Sequence, residues 1–180
     1  MGDGAGVDRR SIRPAPSREQ RMIHWPEHYD PKHAPVHVRN ELTIAAPPEI
    51  VWAWLVRAEA WPRWYPNSAN VRIEGGGGEL VLGTRFRWRT FGVAIRSEVK
   101  EHSAPERLAW DARGFGVDAY HAWWIERRSG GCRVVTEETQ HGFVARLGAL
   151  LLPRRMSKGH DLWLARLAAQ AASGPPVRPA

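Results

Sequence analysis

The chain is poor in thiols, poor in lysine and free of long apolar runs, and each shortage removes a class of explanation. A single cysteine, Cys132, in 180 residues forbids an intramolecular disulfide and leaves no thiolate metal site, as suits a reducing compartment. Lysine occurs only as Lys32, Lys100 and Lys158, and arginine supplies the rest of the 26 basic residues. With alanine, glycine and tryptophan also frequent, the net charge of +7 reads as codon bias more than as a polyanion-binding surface. No stretch approaches the roughly 18–20 apolar residues that a membrane span requires. Residues 1–21 carry charge where a secretory signal would place an apolar core. A cytoplasmic protein without membrane insertion is the expectation.

What is present suggests one domain with tails. Residues 1–21 are rich in Gly, Pro, Arg and Ser and read as a disordered N-terminal tail. Residues 22–35 are extended and broken by proline, with Met22, Ile23, Trp25 and Tyr29 available to dock on the body. Residues 36–172 form the domain, and 173–180, with three prolines, read as a frayed tail. Period-2 alternation starts at Val36, where Val36, Val38, Leu42 and Ile44 alternate with polar residues. Pro47 and Pro48 open a helix whose apolar stripe is Ile50, Val51, Trp54 and Leu55. A short turn follows at Trp61–Pro66. Strands are expected near 70–74, 84–91, 93–102, 106–113, 118–128 and 132–140, separated by Gly and Pro turns. From Phe143 the period turns helical, with a break near Pro153 and a second segment running to about Ala172. Consecutive strands with short turns imply an antiparallel sheet, on which the last helix must bury its stripe.

The hairpin His121–Gly142 carries the most chemistry. A four-residue or two-residue loop around Ser129-Gly130-Gly131 puts His121, Trp123 and Ile125 on the same face as Val134, Thr136 and Glu138, and in the four-residue case, with Arg127 opposite Cys132, His121 lies directly across from Glu138. An imidazole and a carboxylate on an apolar face are costly to bury without partners. Asn40 and Ser97 also interrupt this face, while Trp88, Trp110 and Trp123 supply bulk. Five polar interruptions (Asn40, Ser97, His121, Thr136, Glu138) fit a ligand-sized cavity better than a dry core. His160 stands at helical spacing with Met156, Trp163 and Leu167, so it can close the cavity opposite His121. Either a capped or half-exposed helix histidine or a ligand contact satisfies that pattern. Glu137 should point to solvent.

Several ordered motifs carry a family resemblance. They are Ala46-Pro-Pro-Glu-Ile-Val-Trp52, Trp61-x-x-Trp64-x-Pro66, Gly83-Thr-Arg-Phe-Arg-Trp88, Pro105-Glu-Arg-Leu-Ala-Trp110, His121-x-Trp123-x-Ile125-Glu126 and Gly131-Cys-Arg-Val134 with Glu137-Glu138 and Gly142. Together, over 36–172, they resemble the SRPBCC (START-like) superfamily in its polyketide cyclase/dehydrase-like branch. The resemblance implies an α+β helix-grip fold: a curved antiparallel sheet of about seven strands around a long C-terminal helix, with two short helices after the first strand. It also implies a cavity for lipids, polyketides or other hydrophobic molecules, but no universal catalytic set.

The candidate ligand contacts are therefore Asn40, Trp88, Ser97, Trp110, Trp123, Thr136, His160 and Trp163, with Trp61, Trp64 and the 22–35 segment placed at the entrance. His121 and Glu138 are the candidate proton-transfer pair; the alternative is a cross-strand hydrogen bond that satisfies two buried groups. Three readings follow: binding of a small hydrophobic or aromatic molecule, a cofactor-free cyclase or dehydratase using His121 and Glu138, or an interaction module with a vestigial cavity. Self-association into a homodimer stays open. No cofactor is implied. The histidines at 24, 28, 33 and 37 are separated by prolines that prevent a ligand-aligning helix, so no metal is expected. Arg85, Arg87 and Arg89 alternate with Phe86 and Trp88, which puts phosphate-binding and base-stacking groups on opposite faces and argues against nucleic acid.

Overall fold

The computed structural model describes residues 23–177; the expected tail 1–21, Met22 and residues 178–180 lie outside the described residues. Seven strands form one antiparallel sheet in the order β1-β7-β6-β5-β4-β3-β2. They are β1 (Val36–Ile44), β2 (Ser68–Ile73), β3 (Arg85–Thr90), β4 (Val93–Ser103), β5 (Arg107–Gly114), β6 (Val117–Arg128) and β7 (Gly131–His141). Helix α1 (Pro48–Leu55) and a 3-10 segment (Ala58–Arg63) follow β1; α2 (Phe143–Leu151) and α3 (Arg155–Ala172) end the chain. This is the helix-grip arrangement that the sequence implied.

The β6–β7 register is the one inferred from the turn. Arg127 pairs with Cys132 and His121 with Glu138, and the ladder runs one pair further to Arg128 and Gly131. Because side chains alternate along a strand, this register fixes the face of every residue between those pairs. A register shift between Val99 and Glu101 interrupts the β4–β5 ladder; such an irregularity increases local twist and helps a sheet curl.

The concave face is filled mainly by tryptophan. Trp61 lies within 5.1–5.6 Å, ring centre to ring centre, of Trp88, Trp110 and Trp163. Trp163 of α3 stacks on Tyr65 at 4.4 Å and 14°. Edge-to-face and offset pairs of this kind add about 0.5–1.5 kcal/mol each beyond simple burial. Helix α1 buries Val51, Trp52 and Leu55, while Ile50 and Trp54 of the expected stripe are only partly buried. The Trp54 indole donates to the Gly174 carbonyl at 2.9 Å, and Arg57 donates to the Val177 carbonyl at 2.9 Å, so α1 and the residue that leads into the 3-10 segment hold the chain just beyond α3.

The opposite face is charged over β3 but apolar at its centre. There Ala109, Tyr120 and Ala122 form a second core with Tyr29. Tyr29 stacks on Tyr120 at 5.3 Å, donates to Asp118 at 2.6 Å and accepts from Thr139 through its carbonyl at 3.0 Å. The described part of the 22–35 segment therefore straps the convex face and does not cover the entrance to the concave one. Its composition announced docking; the side it docks on depended on Tyr120, whose neighbour His121 points the other way.

Candidate functional site

Two strands and one helix bring five polar side chains into one knot on the concave face. β6 supplies His121, β7 supplies Thr136, Glu138 and Gln140 at period-2 spacing, and α3 supplies His160. The Glu138 carboxylate is the hub. Its Oε2 accepts from His160 Nε2 at 3.1 Å and lies 3.3 Å from His121 Nδ1. Its Oε1 accepts from Gln140 Nε2 at 2.6 Å. On the far side of the imidazole, His121 Nε2 is 2.7 Å from the Thr136 hydroxyl. One neutral tautomer satisfies these contacts: His121 carries its proton on Nδ1 toward Glu138 and accepts the Thr136 proton on Nε2.

The electrostatics agree with that assignment. Burial pushes the His121 imidazole down to about 3, against the opposing pull of Glu138. For Glu138, burial acts to raise the carboxyl, but the adjacent His121, the His160 hydrogen bond and the Gln140 hydrogen bond together outweigh it. Glu138 is thus held below the usual carboxylate range, ionised, beside a neutral His121. A buried carboxylate that accepts several hydrogen bonds is stabilised in its charged form.

His160 stacks on His121 with ring centres 4.9 Å apart and planes at 20°. His121, Glu138 and His160 offer three ligand atoms within 4.8 Å of one another, the residue types of many zinc and non-haem iron centres. In this structure His121 Nδ1 and His160 Nε2 both point at Glu138 Oε2, so the three groups satisfy one another by hydrogen bonding. At the N-terminal side, His24, His28 and His37 each face a different carboxylate (Glu101, Asp118 and Glu137) and do not converge.

Beside the knot lies a cavity of about 160 Å³, between the concave face, α2 and the start of α3. His121, Glu138, Gln140 and His160 form its polar end. Of the ion-paired groups there, Glu138 keeps the most exposure, 11% of its side chain against 3% for His121 and 1% for His160. The remaining wall is mostly apolar, including Ile95, Ala119, Val144 and Ala145, with Thr90 and Arg155 as further polar members.

Among the sequence-derived candidates, His121, Glu138, Trp88, His160 and Trp163 reach this cavity. Asn40, Ser97, Trp110, Trp123 and Thr136 do not line it. Asn40 turns to α3 instead, donating to Asp161 at 2.6 Å and to Ser157, where it ties β1 to the helix. Ser97 accepts the Trp88 indole N–H at 3.2 Å and is buried beneath it. Trp110 and Trp123 are consumed by the aromatic core, both at or below 1% exposure. Thr136 acts behind His121. Trp61 and Trp64, placed at the entrance by the sequence, are core residues; the Trp61 indole donates to the Leu55 carbonyl at 2.9 Å. Gln140 escaped the sequence reading although it continues the parity of Glu138. The α2 wall escaped because its inward residues are small and aliphatic, with no polar signal.

A curved antiparallel sheet gripping a C-terminal helix over a partly polar cavity defines a helix-grip domain. The chain belongs to the family described as polyketide cyclase / dehydrase and lipid transport, whose model matches residues 35–172. Among solved structures it is similar to the hypothetical protein jhp0584 from Helicobacter pylori, at 31% identity and TM-score 0.78, covering 83% of this chain and 96% of that one. It also shares its fold with the di-domain ARO/CYC StfQ of the steffimycin biosynthetic pathway, at 18% identity and TM-score 0.63 over 77% of this chain and 51% of that one. The protein TTHA0849 from Thermus thermophilus is similar at 21% identity and TM-score 0.64, over 78% of this chain and 100% of that one. Among curated proteins none matches the sequence.

Proposed function

We propose that the protein binds a small, largely hydrophobic molecule of about one ring in the α2-side cavity, with a hydrogen-bond donor on the ligand directed at Glu138. The observation that carries this reading is a cavity of about 160 Å³ with a buried, ionised carboxylate at one end. A cavity of about 150 Å³ accepts benzene, whereas drug-sized ligands occupy roughly 300–1,000 Å³. Size therefore favours a single ring over a multi-ring polyketide or a two-chain lipid. A carboxylate offers about four acceptor sites. His121, Gln140 and His160 occupy three directions around Glu138, which leaves room for one more donor. A phenol or alcohol fits this pole. A carboxylic acid would bring a second negative charge to it.

The cyclase or dehydratase reading needs an imidazole nitrogen free to move a proton at the ligand. Both nitrogens of His121 face protein partners, and the ring is buried, so the geometry supports orientation of a ligand over proton transfer by this residue.

Calorimetric titration with p-cresol, toluene and p-toluate tests the reading. The expected order is p-cresol tightest, toluene weaker, and p-toluate at least tenfold weaker than p-cresol, with Glu138→Gln narrowing the difference between p-cresol and p-toluate. If none of the three binds, the cavity is not a binding site. Equal binding of all three removes the role assigned to Glu138 while leaving the cavity.

A further inference from the structure

Helix α2 presents two apolar faces, and only one is used by the cavity. Val144, Ala145, Gly148 and Ala149 turn inward. On the other side Phe143, Leu147, Leu150 and Leu151 are exposed at 52–77%, and Phe115 of the β5–β6 turn, 80% exposed, meets Phe143 edge-to-face at 5.6 Å. Exposed leucines and phenylalanines gathered on one helix and its neighbouring turn are costly in water and mark an interaction site. The helix start is built into the fold. Gly142 has φ of 99°, and a Cβ there would lie 2.4 Å from the Gly116 carbonyl oxygen, so α2 springs directly from the β5–β6 turn that carries Phe115.

Charge identifies what would cover this face. From Thr139 to His160 the sequence contains no acid, while Arg146, Arg154, Arg155 and Lys158 are all exposed. Arg146, Arg154 and Lys158 have no acidic partner among the described residues. We infer that α2 and the Phe115 turn dock on an anionic lipid surface, the leucines and phenylalanines entering the interface and the arginines meeting lipid phosphates. An amphipathic helix with bulky apolar residues and flanking cations is suited to lie in that plane. It need not span the bilayer, and no described helix is long and apolar enough to do so. A second copy is a poorer occupant, because its identical face would set like charges against like. Residues 1–22, with five arginines against three acids, are mismatched in the same way. Docking there would place one wall of the cavity at the lipid boundary, where apolar ligands concentrate.

The test is co-sedimentation of the full chain with phosphatidylcholine vesicles and with vesicles that also contain phosphatidylglycerol. The expected result is binding to the anionic vesicles at low salt that falls as salt rises. Leu150→Glu with Leu151→Glu should weaken it at least tenfold, and Arg146→Glu with Arg154→Glu should do likewise. All four positions are exposed and outside the cavity lining, so p-cresol binding and thermal unfolding should stay unchanged. No vesicle binding overturns the inference, as does binding that the leucine variants leave intact or that is equal on neutral vesicles. Concentration-dependent dimerisation abolished by the leucine variants, without vesicle binding, would assign the face to self-association instead. None of these outcomes bears on whether the cavity binds p-cresol, so the two readings fail separately.

Discussion

His121 and Glu138 face each other across the β6–β7 ladder, with Nδ1 of the imidazole 3.3 Å from Oε2 of the carboxylate and the Thr136 hydroxyl held at the other ring nitrogen. This pair places a negative charge inside an apolar wall and keeps the adjacent ring neutral. Its consequences for stability follow from proton linkage.

Stability should fall as pH drops from about 6.5. His121 has its usual value of 6.5 in the unfolded chain and about 3 when folded, so in that window the unfolded chain binds the extra proton. Its contribution is complete above about 6.5 and is lost as pH falls toward 3. Glu138, also lowered on folding, acts in the same direction: it stabilises above its ordinary value of 4.5 and that contribution is lost as pH falls through its folded value. Urea denaturation across pH 4–7 should show a slope approaching roughly 1.4 kcal/mol per pH unit. His121→Gln should flatten the limb between 4.5 and 6.5.

Glu138→Gln should cost about 1–3 kcal/mol at pH 7, because an amide donor would then face the His121, His160 or Gln140 donors. The same substitution should reduce the acid limb. Chemical denaturation at pH 7 and pH 4 measures both effects, and an unchanged midpoint at pH 7 would show that the knot contributes no net stability.

Trp61→Ala should cost about 3–5 kcal/mol, as expected when a fully buried indole leaves a cavity in a close-packed core. A residue guarding an entrance would instead change ligand on-rate with little loss of stability. Stopped-flow binding alongside thermal unfolding distinguishes the two.

Asn40→Ala should cost about 0.5–2 kcal/mol by removing the hydrogen bonds from β1 to Asp161 and Ser157, with p-cresol affinity unchanged. A loss of affinity without a loss of stability would return Asn40 to the ligand.

Tyr29→Ala should expose the Tyr120 patch on the convex face and speed hydrogen exchange in β5 and β6 without altering p-cresol binding. Burial, with the Asp118 contact second, pushes the Tyr29 phenol up to about 12, so this strap should stay seated well above neutral pH.

The candidate site was legible in the sequence wherever alternation alone decides geometry. His121 opposite Glu138 needed only the hairpin turn and a period of two. Which large residues line a cavity and which fill the core was not legible. Trp88, Trp110 and Trp123 share one face in the sequence, yet only Trp88 reaches the cavity; Trp110 and Trp123 pack instead against Trp163 of α3, which itself lines it. Asn40 lies on the expected face but finds Asp161 within reach, a contact that exists only once β1 and α3 meet.

The sequence by itself determined the strand order along the chain, the face of each residue where a strand is regular, and the pairing of His121 with Glu138. Period-2 spacing and turn length are local quantities that survive in any context. The tertiary structure decided that His160 completes the knot, that α2 walls the cavity while leaving its leucines outside, and that the N-terminal strap lies on the convex face. Those outcomes depend on how segments far apart in the chain divide a limited apolar volume between core and cavity, and local pattern carries no record of that division.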